Sequence, residues 1–216
     1  MANLYNTRGS IESFLRLLES RRPDVLACVE VGVRMAEALR ERYEHGIVEG
    51  DDEHYSGQAL LSPRPIEVRP LRLSHRPGMR ARVEIGGVET ELMLAHLANP
   101  LDGMSGFRHR RAQVSEILAH LDRVGTPAVL TGDLNATPIW PAYRRLRHRL
   151  RDGMLDAARA DGRLPGRTWA PRPGWPPMLR IDHILTAGVR LEDIRTHRVL
   201  GSDHLALSAR IRPVST

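Results

Sequence analysis

PAVLTGDLNATP, residues 127–138, joins an apolar run to a turn that carries acid and amide groups. Residues 128–131 predict a short buried strand, because an apolar and β-branched run bounded by Pro and Gly has the length and composition of a strand rather than a helix. Gly132, Asp133 and Asn135 follow, and these are the residue types that turns prefer. The chain therefore leaves a buried strand and at once presents a carboxylate and a carboxamide. The same arrangement recurs elsewhere: VLACVE ends at Glu30, LMLAH at His96, RIDHIL carries Asp182, and VLGSDH ends at Asp203 and His204. Open α/β sheets place ligands just beyond strand ends, so polar groups from separate strands can meet at one site.

Working outward, residues 110–124 predict the longest helix and residues 141–150 a second one after the turn. Towards the N-terminus, residues 2–6 read as the end of a strand. Residues 11–19 read as a helix with Ile11, Phe14, Leu15 and Leu18 on one face and Ser10 as its N-cap. A buried strand at 24–30, a helix at 33–43, an acidic turn-rich stretch through Gly57 and a strand at 59–62 complete the first half. Residues 83–85 and 90–97, separated by Gly86 and Gly87, predict a hairpin entering a buried strand. A Pro/Gly/Trp loop at 165–177 precedes strands at 181–185 and 205–211. Strands and helices alternate throughout, which favours a layered α/β architecture. No repeat or long linker divides the chain, so residues 1–216 are expected to form one domain.

Composition narrows the class. At 41% apolar and 27% charged, the chain matches ordinary globular proteins. It contains no apolar run of about 18 residues that would span a bilayer. Its N-terminus lacks a basic segment leading into an apolar one, so a cytoplasmic location is the default expectation. The single cysteine, Cys28, lies in an apolar run and reads as a small buried hydrophobe. The formal net charge is +6, and all 32 basic residues other than histidine are arginine. Guanidinium groups grip phosphate in bidentate fashion, which suits a phosphorylated or polyanionic substrate, although a solvated arginine surface gives the same count.

Taken singly, each polar group has an ordinary reading. Glu30 can be a polar strand terminus, His96 a hydrogen-bonded core histidine, and GDLN only a turn. Asp182 is the exception: it falls among Ile181, Ile184 and Leu185, where an unpaired carboxylate is costly, so a partner is expected and histidine is a natural one. Together, Asp, Glu and Asn oxygens suit magnesium or manganese, while the absence of paired cysteines or an HExxH spacing argues against zinc.

The ordered set PDVLACVE, SGQALLSPRPI, MLAHL, RRAQVSEILAHL, PAVLTGDLNATP, RIDHILTAG and GSDHLAL resembles the endonuclease/exonuclease/phosphatase superfamily over nearly the whole chain. The resemblance implies a DNase I-like, four-layer α/β sandwich of two packed mixed sheets flanked by helices. It implies that Glu30 is the principal metal carboxylate, that Asp203 belongs to the metal site, and that Asn3 supports the metal and phosphate environment. By the same resemblance Asp133 activates or orients the attacking water and Asn135 holds a phosphate oxygen. His204 acts on the phosphate or the water, oriented by Asp182, and His96 bonds the phosphate from the opposite side. The implied reaction is Mg2+- or Mn2+-dependent hydrolysis of a P–O bond by in-line water attack, with no covalent nucleophile. Only Met1 and Ala2 precede Asn3, so the first strand looks cut short against the family pattern. Either the fold tolerates a stub, or the natural protein begins further upstream, where some bacterial relatives carry membrane helices.

Three substrate classes follow. A nuclease or other phosphodiesterase comes first, from the arginines Arg108, Arg110, Arg111 and the run at 144–151, with nucleic acid as the partner and Trp140, Trp169 and Trp175 as the candidate stacking platforms. A phosphomonoesterase or pyrophosphatase on a lipid-linked or small phosphorylated metabolite is the alternative, and a non-catalytic phosphate-binding scaffold is third. A monomer is the default.

Overall fold

The computed structural model describes residues 1–125, 127–162 and 164–214. Its elements in chain order are β1 (Ala2–Asn6), α1 (Ile11–Arg21), β2 (Leu26–Val31), α2 (Val33–Arg42), β3 (His45–Glu49), β4 (Gln58–Ser62), β5 (Val68–Leu71), β6 (Gly78–Ile85) and β7 (Val88–Leu94). After a 3-10 turn at Pro100–Asp102 come α3 (Gly103–Val124), β8 (Ala128–Asp133), α4 (Pro141–Arg147), β9 (Arg151–Asp152), α5 (Gly153–Ala160), β10 (Asp182–Ala187), β11 (Val189–Arg198) and β12 (Leu205–Pro213).

Two mixed sheets form the centre. One has the order β1-β2-β4-β3 and the other β5-β6-β7-β8-β10-β9, with β1/β2 and β7/β8 as the parallel pairs. The β11–β12 hairpin extends the first sheet past β1, where Met1 and Leu207 exchange two backbone hydrogen bonds of 2.8 Å. Side chains on the central strands alternate between two buried faces. In β2, Cys28 packs towards α1 and α2, whereas Ala27 and Val29 meet Leu92, Leu94 and Val129 between the sheets. In β7 and β8, Met93 and Leu130 turn the other way, onto α3 and α4. Helices, sheet, sheet and helices therefore stack in four layers, as the resemblance implied. Strands buried on both faces read as the continuous apolar runs seen in the sequence.

Several boundaries differ from expectation for physical reasons. The stretch through Gly57 is not all turn, since His45–Glu49 forms the half-exposed edge strand β3. β7 stops at Leu94, short of 97, because the chain follows β8 beyond it through Ala95 N–H to Thr131 O at 3.0 Å and Leu97 N–H to Asp133 O at 2.9 Å. Helix α3 begins at Gly103, well before 110. Gly103 and Gly106 hide its first turns from a propensity argument, yet a Cβ at Gly106 would collide with the Asn99 carbonyl oxygen. Helix α4 ends at Arg147 and not at 150. Asp182 is the first residue of β10, with Ile181 before it, and is not inside the strand. Strands β5, β9 and β11 and helix α5 went unanticipated. Ser10 caps α1 as expected, its hydroxyl accepting from Ser13 N–H at 3.2 Å.

Candidate active site

One rim of the sandwich collects the polar strand ends. The parallel strands β1 and β2 bring Asn3 and Glu30, and β8 delivers Asp133 as its last residue. His96 follows β7, which is parallel to β8. Antiparallel β10 starts at the same rim, so Asp182 lies directly opposite Asp133 in the sheet register. Gly132 has φ 142°, and a Cβ there would strike the Ala95 carbonyl oxygen, which makes glycine a requirement of the GDLN turn. Glu30 and Asn135 both hold positive φ, 51° and 45°, a strained conformation for residues with side chains and one that clusters at functional sites.

The side chains form a connected set. Asn3 Nδ2 donates to Glu30 Oε1 at 3.0 Å and to Asp133 Oδ2 at 3.2 Å, tying the two sheets together, while its Oδ1 accepts from Tyr5 N–H. His204 Nδ1 meets Asp182 Oδ2 at 2.8 Å, and its Nε2 stands 3.8 Å from Asp133 Oδ2 and 3.9 Å from Asp203 Oδ1. From the other side His96 Nε2 lies 3.6 Å from Glu30 Oε1 and 3.9 Å from Asp133 Oδ2. Asn135 N–H donates to Asp133 Oδ1, and its Nδ2 gives one hydrogen to Leu97 O, leaving the second available. Asn3, Glu30, His96, Asp133, Asn135, Asp182, Asp203 and His204 thus lie together on this rim.

The structure adds supporting residues around this set: Arg76, Gln113, Glu116, Thr168 and Ser202 carried no sequence signal, while Trp169 and Arg110, read from the sequence as a stacking platform and a phosphate-binding arginine, brace the cluster instead. Arg76, from the loop after β5, places Nη1 3.1 Å from both ring nitrogens of His96. Gln113 Nε2 reaches the Arg76 carbonyl, and Glu116 accepts from the Ser74 backbone, so the loop is held to α3. Trp169 Nε1 donates to Asp203 Oδ2 at 3.0 Å. Thr168 Oγ1 accepts from the N–H groups of Ile181 and Asp182, and Ser202 Oγ links the Asn3 carbonyl to the His204 N–H. Arg110 Nη1 donates to the Asn135 carbonyl.

Electrostatics follow from crowding acids out of water. Burial raises Glu30 and Asp203 above the usual carboxylate range. Burial, and then the facing Asp182 carboxylate, push Asp133 up to about 7. For His204, burial resists protonation, but the charge and hydrogen bond of Asp182 outweigh it and raise the imidazole to about 10. His96 is held well below its ordinary value by burial and then by the Arg76 guanidinium, so it is neutral. Asp203 Oδ1 and Asp182 Oδ1 are buried with no hydrogen-bond partner among the described residues. Carboxylate and imidazole ligand atoms of Glu30, His96 and Asp133 lie within 4.8 Å of one another, as do those of Asp133, Asp182 and His204. A concentration of partly unsatisfied hard oxygen donors fits a divalent cation.

The sequence profile of the Endonuclease/Exonuclease/phosphatase family matches residues 2–204. The chain belongs to this family. Members of the family are phosphoesterases, which supports a hydrolase. Similar solved folds include a 3'-5' exonuclease, NExo, from Neisseria meningitidis, at 20% identity and TM-score 0.75, covering 98% of each chain. The human Nocturnin catalytic domain with bound sulfate anion is 19% identical at TM-score 0.72, covering 94% of this chain and 85% of that one. A functionally unknown conserved protein from Enterococcus faecalis V583 is 14% identical at TM-score 0.75, covering 99% and 98%. At such identities these likenesses establish the family's DNase I-like fold. No curated protein matches the chain. No helix among the described residues is long and apolar enough to cross a membrane.

Proposed function

We propose that the protein hydrolyses P–O bonds of a phosphate ester by direct attack of water, with Mg2+ or Mn2+ as its cofactor. The observation that carries this reading is the convergence of Asn3, Glu30, Asp133 and Asp203 with two imidazoles on one rim. Glu30 and Asp203 would hold the cation, with Asn3 keeping Glu30 and Asp133 in register. When bound, the cation offsets phosphate charge and stabilises the leaving oxygen.

The chain's own groups supply the rest. Asp133, with a pKa of about 7, is suited to accept a proton from water near neutral pH. As the water oxygen bonds to phosphorus, the bond to the leaving oxygen breaks, and that oxygen takes a proton from solvent to end as a hydroxyl. His204, positively charged and fixed by Asp182, donates through Nε2 to a phosphate oxygen. Neutral His96 faces the phosphate from the opposite side, and the free hydrogen on Asn135 Nδ2 holds another oxygen. Arg76 adds a fixed cation beside His96.

For substrate, the phosphodiester of a nucleic acid draws support from the arginine surface. Of the three candidate stacking rings, Trp169 is tied to Asp203 and Trp140 packs against Phe107 and Arg110, which leaves Trp175, exposed beneath Arg172, as the ring open to a base. The lipid-linked alternative draws on the exposed side chains of Leu101, Met104 and Ile139, near Asn135. A screen with Mg2+ and Mn2+ against bis-p-nitrophenyl phosphate, p-nitrophenyl phosphate, plasmid DNA and isoprenyl pyrophosphate tests the reaction and sorts these classes. Silence on all four with metal bound would overturn the phosphoesterase reading and favour the phosphate-binding scaffold.

A further inference from the structure

The mouth of the site is flanked by apolar side chains that nothing among the described residues covers. At the Asn135 end, Arg110 is clamped between the rings of Phe107 and Trp140, 5.1 Å and 4.6 Å from their centroids, and bonds the Asn135 carbonyl. This contact joins the start of α3 to the loop after GDLN as one ledge. On the ledge Leu101 is 85% exposed, Ile139 81% and Met104 73%, with Met104 one helical turn before Phe107. At the Asp203 end, Met178 N–H donates to the carbonyl of Trp169, whose indole holds Asp203. Met178 is 53% exposed and Trp175 is 52% exposed beneath the Arg172 guanidinium. Scattered apolar residues on a surface are ordinary, but two groups of them reached through the two ends of one catalytic cluster are not.

Charge accompanies this apolar surface. Arg108, Arg111 and Arg144, on and beside the ledge, and Arg172 on the opposite rim are exposed, and among the described residues none has an ion-pair partner. Aliphatic side chains interspersed with unpaired arginines match the two halves of an anionic bilayer surface, hydrocarbon beneath phosphate. They match a nucleic acid less well, since the most exposed of them, Leu101, Ile139 and Met104, offer no ring face for a base and only Trp175 and Phe107, about half exposed, do, whereas hydrocarbon burial needs only apolar area.

We propose that the mouth of the site docks on an anionic lipid surface, with Leu101, Met104 and Ile139 entering the acyl region, and that the ester presented to the cluster is the headgroup phosphate of an amphiphile. The substrate half of this inference rests on the phosphoesterase reading; the docking half does not.

The test is co-sedimentation of the full chain with phosphatidylcholine vesicles, with and without phosphatidylglycerol, at low and high salt. The expected result is partition onto the anionic vesicles, weakened by salt, and a drop of about tenfold or more when Leu101→Ser, Met104→Ser and Ile139→Ser are combined. The triple variant should keep its circular dichroism and its turnover of soluble p-nitrophenyl esters. Glu30→Gln should still bind vesicles. Wild-type protein that stays in the supernatant with anionic vesicles at low salt would overturn docking. So would a triple variant that partitions unchanged, or one whose only loss is affinity for a single-stranded oligonucleotide. Vesicle binding without turnover of any ester would leave docking standing and overturn the phosphoesterase reading instead.

Discussion

His204 Nδ1 lies 2.8 Å from Asp182 Oδ2 with both side chains sealed from solvent, while Nε2 of the same ring turns towards Asp133. The carboxylate fixes which nitrogen carries the outward-facing proton and supports the charged ring. The two residues therefore act as one unit. Asp182→Asn and His204→Ala should each lower kcat by about 10² to 10⁴-fold, and the double variant should be hardly worse than His204→Ala. Because the Asp182 charge helps raise His204 to about 10, its removal should move the limb of the pH–rate profile that belongs to His204 to lower pH. Multiplicative losses, or an Asp182→Asn protein that unfolds yet keeps full activity in its folded fraction, would show instead that Asp182 is a structural acid.

Glu30 is a partly buried carboxylate raised by desolvation and set in a crowd of like charges. Without metal, Glu30→Gln should fold at least as stably as wild type, because it removes one of the charges that the fold must keep from water. With metal the order should reverse. A ligand that binds only the folded state raises stability by RT ln(1 + [L]/Kd), so Mg2+ or Mn2+ should raise the wild-type Tm and barely move that of Glu30→Gln. Thermal melts with and without chelator measure both effects, and equal metal-induced shifts in the two proteins would remove Glu30 from the cation site.

Arg76 sits 3.1 Å from His96 and helps keep that ring neutral. Its own charge faces the cluster where phosphate would lie. Loss of one charge-assisted hydrogen bond, worth about 1.5–3 kcal/mol, should lower kcat/KM by roughly 10- to 100-fold in Arg76→Ala, with Arg76→Lys intermediate. Circular dichroism should be unchanged, since the loop stays anchored by Ser74 and Gln113. Full activity in Arg76→Ala would assign the guanidinium to packing alone.

The contrast between Arg76 and Asp133 shows what was legible in the sequence. Asp133 stands at the end of an apolar run, and such a position marks the sheet edge where parallel strands converge. Every group read that way, from Glu30 to His204, reaches the rim. Arg76 lies in a loop with no periodicity, and only the tertiary anchoring of Ser74 and Gln113 to α3 brings it in. The same limit explains α3 and α5. Glycines conceal the first turns of α3, and α5 depends on Asp152, whose Oδ1 caps Leu155 N–H at 3.1 Å. Edge strands β3 and β11 bury too few side chains to give a clear alternation. The layered core was readable because burial on two faces imposes a composition; the supports of the site were not, because they are single contacts between distant segments.

Asp152 carries the last prediction. Its Oδ2 accepts from Arg180 Nη1 and from the Tyr143 hydroxyl, each at 2.6 Å, with His183 Nδ1 at 3.7 Å, and all four side chains are buried. Burial alone would raise this carboxyl, but the neighbouring His183 imidazole, the charge of Arg180 and the Tyr143 hydroxyl outweigh it and hold it below the usual range. A depressed folded-state pKa means that the contribution to stability is fully present above the unfolded value, about 3.9, and is lost as pH falls through the lower folded value. Wild-type protein should therefore lose stability below about pH 4. Asp152→Asn should lack that part of the slope. At neutral pH it should be less stable by about 3–5 kcal/mol, because Arg180 remains buried without its counter-charge. Arg180 and His183 flank Asp182, so the variant should also show reduced kcat under conditions where it is fully folded. Urea unfolding at pH 7 and pH 3.5 measures the first effect. A variant as stable as wild type at pH 7, or one with the same acid slope, would mean that the buried pair contributes nothing to holding β9, β10 and α4 together.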